Sequence, residues 1–393
     1  MTGSRSRLLD AIGARFHADF GDAPPRRFFA PGRINLVGAH LDYNGGDVLP
    51  MAVDRGIYLA IRPRSDGRLR LRSLDQGLTV DVTADQVGSR TRPAFGWGGY
   101  PLGVWQGFRQ TTGVGAGFDA VFAGDLPMAS GLSSSAALEV VTALALDALH
   151  GTQLDRQQLA LLAHRAETGF VGVRCGIMDQ FASALGRAGQ VLLLHCAGPR
   201  WEHVPFDPAA CEVLVLDTRK PRLLAKSGFN ERVAQCATAH EILRAHARDL
   251  PHLALYSPAD VEQCRSAMDD AIWRRARHVV TEMERTQQGA RALRAHDYAT
   301  LGKCLDASHR SAAEDYEVSC DELDVITAAA RECDGVFGSR LTGAGFGGCA
   351  IALLRPGAAD AVAAKVAPVF RARFGVEPGF DLLKNGTGPV EIG

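Results

Sequence analysis

The stretch Pro31-Gly32-Arg33-Ile34-Asn35-Leu36-Val37-Gly38-Ala39-His40-Leu41-Asp42-Tyr43-Asn44-Gly45-Gly46 decides the reading of this chain. It lies within a segment, Phe28 to Arg64, that reads as strands around a turn at Tyr43-Asn44-Gly45-Gly46, because an Asn-Gly pair favours positive φ. Upstream, Leu8 to Phe20 reads as a helix; downstream, strand character continues to about Val82 and Trp97 to Gln110 turns helical. Gly117 to Ala123 alternates as a strand and delivers the chain to a second small-residue stretch, Gly124-Asp125-Leu126-Pro127-Met128-Ala129-Ser130-Gly131-Leu132-Ser133-Ser134-Ser135-Ala136-Ala137. Ser133-Ser134-Ser135 opens an Ala/Leu/Val-rich helix reaching about His150, apolar around most of its circumference and therefore expected to be buried. Further on, Arg156 to Phe170 reads as a helix, Gln190 to Cys196 and Val213 to Leu216 as strands, and Asn230 to His246, Asp260 to Gln288 and Cys320 to Glu332 as helices.

With 393 residues the chain exceeds the usual size of a single core, so two lobes are expected, 1–200 and 201–393. Hydrophobic residues at 46% and charged residues at 22% describe an ordinary globular protein. A formal charge of -1 supplies no basic field for a nucleic-acid partner. Met1 to Phe20 interleaves Arg5, Arg7, Asp10, Arg15 and Asp19 with short apolar pairs, unlike a secretory leader, and no run is long enough to span a membrane. The nine cysteines form no CxxC pair, which fits reduced thiols in a cytoplasmic enzyme better than a disulfide framework or a zinc site.

The Ser-rich loop carries the first chemical signal. Small residues running straight into a helix present unpaired backbone N–H groups at the positive end of the helix dipole, a ready-made cradle for phosphate oxygens. The loop is neither a Walker A sequence nor a dinucleotide fingerprint. Alone, it would serve equally well as a serine cap on a buried helix.

Taken together with Gly338-Ser339-Arg340-Leu341-Thr342-Gly343-Ala344-Gly345-Phe346-Gly347-Gly348-Cys349, the Pro31 stretch and the Ser-rich loop resemble, in order, the three motifs of the GHMP kinases, and within them the galactokinase family. Cys175 to Gln180 and Tyr316 to Cys320 extend the resemblance, which covers roughly Arg27 to Cys349. It implies an α+β, two-lobed fold: an N-terminal lobe resembling ribosomal protein S5 with a left-handed crossover, a C-terminal ferredoxin-like lobe, and an active site between them. The implied activity is transfer of a phosphoryl group from ATP, with Mg²⁺, to the anomeric hydroxyl of a sugar. The expected partners are these small molecules, with no nucleic acid and no membrane, and the protein is expected to be a monomer or weak homodimer. A non-catalytic sugar or ATP sensor on the same fold is the rival class. Such sensors look damaged in the Ser-rich loop, whereas Ser133 to Ala137, Arg33 and Asp179 are intact here.

By position, the resemblance implies that Asp179 and Arg33 are the catalytic pair. A hydroxyl that must lose its proton and a γ-phosphoryl that gathers negative charge together call for a carboxylate and a guanidinium. Gly131, Leu132, Ser133, Ser134, Ser135 and Ala136 are implied to hold ATP, with Trp97 beside the base. Ser135 and Glu167 are implied as oxygen ligands of Mg²⁺, which retains most of its waters and needs few protein groups.

The sugar residues implied are Ala39, His40, Asp42, Gly176, Asp179 and Phe229, and two of these depart from the pattern. Galactokinases have a glutamate in place of Ala39, contacting the exocyclic hydroxymethyl group, and a tyrosine in place of Phe229. Losing a charged acceptor forfeits roughly 1.5–3 kcal/mol for a hydroxymethyl sugar. It also removes a repulsion of roughly 4 kcal/mol that a carbon-6 carboxylate about 4 Å away would meet at an effective dielectric near 20. The Gly-Ala-His variant is similar to that of galacturonokinases, so galacturonate is the expected sugar, with D-galactose and L-arabinose, which lacks carbon 6, as alternatives. Lys226, Arg222 and Arg219 are candidate cations for the carboxylate.

Overall fold

A computed structural model describes residues 2–89, 95–127, 131–221 and 225–392. Its first sheet has six strands in the order Val390–Ile392, Arg26–Asn35, Pro50–Arg64, Gly117–Gly124, Arg68–Ser73 and Thr79–Thr83. All pairs are antiparallel except Arg68–Ser73 with Gly117–Gly124. The strand Pro50–Arg64 shows why its sequence is apolar almost throughout. Tyr58 and Ala60 pack under Ile12, Phe16 and Phe20 of the first helix, Thr2–Phe20, while Leu59 and Ile61 point the other way, into the main core with Phe122 and Val140. Side chains alternate across a strand, so covering both faces demands apolar residues at successive positions.

The second sheet runs Val336–Leu341, Cys349–Leu354, Glu212–Asp217, Gly379–Leu383, every pair antiparallel, which is the strand order of a ferredoxin-like βαββαβ unit. Three short strands, Asp47–Val48, Gln190–His195 and Arg200–Pro205, form a third sheet. The fold is thus the mixed α+β arrangement expected of a GHMP kinase. The last strand returns to the first sheet, with Ile392 opposite Arg27.

Most expected elements form close to their anticipated bounds, among them Gly99–Thr112, Ser134–His150, Gln190–His195 and Asp321–Arg331. The long helix expected over Asp260 to Gln288 is instead two, Pro258–Gln263 and Asp270–Arg294. The reason is local capping: Asp269 accepts from the Ile272 N–H at 2.8 Å and opens a new helix, as Ser257 does for the first. The helices Tyr298–Glu314 and Ala359–Phe374 were not anticipated. Among the described residues no helix is long and apolar enough to cross a membrane.

Candidate active site

The Pro31 stretch, the Ser-rich loop and the Thr342 loop converge on one cavity of about 1180 Å³. Gly32 brings the first two together: a Cβ there would sit 2.6 Å from the Leu132 carbonyl oxygen, while the Arg33 N–H donates to that oxygen at 3.0 Å. Arg33 is buried, and its Nη1 donates to the Gly131 carbonyl at 2.6 Å. Its Nε and Nη2 reach Asp179 Oδ1 at 2.8 and 2.6 Å. The Ser133 hydroxyl donates to the other carboxylate oxygen, Oδ2. Asp179 lies in the first turn of the helix Met178–Leu185, where the dipole favours a negative charge. Ser133, at φ 59° and ψ 51°, holds the left-handed conformation just ahead of the helix Ser134–His150, a strained setting for a residue with a side chain.

Glu167 enters the cavity from a single π-helical turn, Ala166–Val171. Gln180 Nε2 donates to its Oε2 at 2.5 Å and to Glu139 at 3.0 Å, fixing the carboxylate from behind. Burial raises the Glu167 pKa, the neighbouring Asp179 raises it further, and the hydrogen bonds from Gln180, Cys175 and Ser135 oppose that shift. A hydroxyl and a carboxylate side by side suit Mg²⁺, which needs hard oxygen and few protein ligands. Among the described residues there is no cluster of three or more His, Cys, Asp or Glu side chains that would make a transition-metal cage.

At the opposite end, Asp42 approaches Gly176 so closely that a Cβ on that glycine would lie 2.2 Å from Asp42 Oδ2. Burial, with Asp179 adding to it, raises the Asp42 pKa to about 7. His40, at φ 60°, is held neutral, its pKa lowered to about 3 chiefly by burial. His40 Nδ1 lies 2.9 Å from the Tyr43 hydroxyl, which meets the Tyr316 hydroxyl at 2.8 Å, and Phe229 packs over both the His40 and Tyr43 rings.

The backbone beneath Ala39 is held by residues the sequence reading did not single out. Glu282, fully buried on the helix Asp270–Arg294, accepts from the N–H groups of Gly38 and Ala39 at 2.9 Å each, and from the Ser308 hydroxyl at 2.6 Å. Its second oxygen pairs with Arg285 at 2.6 Å. Burial alone would raise the Glu282 pKa, but Arg285, His278 and Arg340 carry it well below the carboxylate range. One turn earlier, His278 Nε2 lies 3.1 Å from the Ala39 carbonyl oxygen. Only an acidic residue on the apolar face of a helix marks Glu282 in the sequence.

Arg33, Ala39, His40, Asp42, Glu167, Gly176, Asp179, Phe229 and Gly131 to Ser135 all line the cavity. Ala136 is buried behind the loop. Trp97 is half-buried and packs edge-on against Phe122 at 5.7 Å beside the core, while Tyr100, three residues on, lines the cavity wall. Arg219, one of the candidate cations, pairs with Asp217 at 3.1 Å and does not line the cavity. Arg222 and the side chain of Lys226 lie outside the described residues.

Sequence comparisons agree with this geometry. Residues 14–63 match the galactokinase galactose-binding signature, 99–187 the GHMP kinases N terminal domain, and 290–372 the GHMP kinases C terminal domain. A galactokinase of Exiguobacterium sibiricum is 38% identical over 381 residues, covering 96% of each chain. One from Bacillus subtilis is 36% identical over 391 residues, 98% of this chain and 99% of its own. The crystal structure of Lactococcus lactis galactokinase complexed with galactose superposes with a TM-score of 0.93 at 34% identity, covering 98% of this chain and 100% of its own. Methanococcus jannaschii mevalonate kinase, at 17% identity and a TM-score of 0.66 over 92% of this chain and 98% of its own, shares the fold. The chain belongs to the galactokinase family of the GHMP kinases and is a sugar kinase that forms sugar 1-phosphates.

Proposed function

We propose that the chain transfers the γ-phosphoryl group of ATP to the anomeric hydroxyl of a galacto-configured sugar, with D-galactose the substrate its relatives favour. The observation that carries this reading is the Arg33–Asp179 pair, which stands in one cavity between the Ser133–Ser135 loop and the Asp42–Gly176 contact. In this reading the N–H groups at the start of the helix Ser134–His150 hold ATP phosphates, and Asp42 and Gly176 hold the sugar ring. Asp179 accepts a hydrogen bond from the anomeric hydroxyl and takes its proton as the bond to phosphorus forms. Arg33 keeps the carboxylate aimed and offers positive charge to the transferring group. Asp179 Oδ1 takes both Arg33 donors and Oδ2 takes only Ser133, so Oδ2 keeps acceptor capacity for the sugar hydroxyl.

Ser135 and Glu167 would hold Mg²⁺, which supplies charge neutralisation on the phosphates when bound. Gln180 keeps Glu167 turned toward the cavity.

A second reading, galacturonate in place of galactose, rests on Ala39. That position lines the sugar end of the cavity and brings no carboxylate there. An ADP-release assay with ATP, Mg²⁺ and a panel of D-galactose, D-galacturonate and L-arabinose tests both. Efficient turnover of galactose with none of galacturonate supports the first and removes the second; turnover of no galacto-configured sugar by folded protein removes both.

A further inference from the structure

We propose that Arg340 forms an anion-binding subsite at the Ala39 end of the sugar cavity, suited to a galacto-configured sugar whose carbon 6 is a carboxylate. This inference rests on the sugar-kinase reading above and deepens its second form. Arg340 lies on the strand Val336–Leu341 and is 1% exposed, yet it lines the cavity together with Asn35, Ala39 and His40. Its Nη1 donates to the Leu36 carbonyl at 3.1 Å, which sets the guanidinium beside the backbone leading into Ala39. Its Nε has no hydrogen-bond partner, and among the described residues no carboxylate oxygen lies within 4.0 Å of the group. The Asn35 side-chain oxygen, on the same cavity, is buried and likewise without a partner.

The charges around Arg340 do not balance. Glu282 is the acidic side chain acting on it, but both Glu282 oxygens are engaged, one by Gly38, Ala39 and Ser308, the other by Arg285. His278 and His40 are neutral at physiological pH. Two guanidiniums therefore share one carboxylate, leaving one positive charge over. Of the acidic groups elsewhere in the cavity, Asp42, Asp179 and Glu167 act on one another and on Arg33, Asp75 accepts from the Gly124 N–H at 2.7 Å, and none pairs with Arg340. A buried cation without a counter-ion is costly to keep, and a planar guanidinium suits a carboxylate, which can take two parallel hydrogen bonds. Ala39 contributes only a methyl group at this wall, so a carbon-6 carboxylate meets the guanidinium with no competing anion. A hydroxymethyl group would accept one hydrogen bond and leave the charge in place.

The test compares kcat/KM for D-galacturonate, D-galactose and L-arabinose, which presents the same ring without carbon 6. Wild type should prefer galacturonate to L-arabinose by at least tenfold. Arg340→Gln should lower that ratio by at least thirtyfold. Ala39→Glu, which places a carboxylate against the guanidinium from within the chain, should lower it similarly and raise galactose relative to galacturonate; it carries the test alone if Arg340→Gln does not fold. A wild-type ratio near one, or a ratio unmoved by the variants that fold, overturns the subsite. Turnover of galactose and L-arabinose without galacturonate also overturns it while leaving the kinase reading intact, whereas no turnover of any of the three by folded wild type overturns the kinase reading itself.

Discussion

The two ends of the active-site cavity are built on different principles. At the Ser133 end the side chains proposed for the transfer are held by partners inside the protein: Arg33 takes Asp179 and the Gly131 carbonyl, Ser133 takes the other Asp179 oxygen, and Gln180 fixes Glu167. At the Ala39 end the walls are equally buried, but Arg340 Nε and Asn35 Oδ1 lack partners. A saturated constellation holds its geometry before substrate arrives, which is what positioning a phosphoryl transfer requires. An unsaturated one gains its missing bonds from the ligand and therefore selects among ligands, because a sugar that leaves a buried polar group unpaired is penalised.

The largest expected effect lies at the saturated end. Asp179→Asn and Arg33→Ala should each lower kcat by about 10³-fold, within the range for a positioned acid–base group, while changing the KM for ATP far less. Steady-state kinetics check this, and near-wild-type turnover in either variant would remove that residue from the phosphoryl-transfer step.

The sugar end should respond to pH. Asp42 titrates near 3.8 when unfolded and at about 7 when folded, so the folded protein binds the extra proton between those values. The stabilisation from this group is fully present below pH 4 and is lost as pH rises through 7, amounting to up to about 4 kcal/mol. Asp42→Asn removes that dependence. Melting temperatures of wild type relative to the variant should therefore fall between pH 5 and 8, and parallel profiles would contradict the buried, raised Asp42.

Glu282→Gln should cost about 3 kcal/mol, because Arg285 and Arg340 lose their shared carboxylate. The damage should extend to the sugar: its KM rises while that for ATP stays, since the Gly38–Ala39 backbone lies beneath the sugar end. Equal changes in both KM values would assign Glu282 a purely structural role. The smallest effect returns to the Ser133 end, where Glu167→Gln should raise the Mg²⁺ concentration for half-maximal activity roughly tenfold. An unchanged requirement would leave Glu167 outside the metal site.

The same division separates what the sequence revealed from what it concealed. Arg33, Ser133 to Ser135 and Asp179 are legible because glycine-rich and serine-rich loops with fixed neighbours leave a local signature. The strands and most helices are legible through their periodicity. Glu282, His278 and Arg340 are not, because each acts through a tertiary contact on residues far along the chain: Glu282 is 244 residues from Gly38, and Arg340 is 304 from Leu36. Within their own elements they read as a helix charge, a helix histidine and a strand arginine. The break at Asp269 was written in a capping residue that apolar periodicity overshadowed.

The central claim is that one cavity aims the anomeric hydroxyl of a sugar at the terminal phosphate of ATP through Asp179 and Arg33. The most direct measurement is phosphorus NMR of the product formed from ATP, Mg²⁺ and whichever panel sugar is consumed fastest. The account predicts a phosphomonoester coupled to the single anomeric proton, absent with Asp179→Asn under the same conditions. A product phosphorylated at any other carbon, or the same 1-phosphate formed at an undiminished rate by Asp179→Asn, would contradict it.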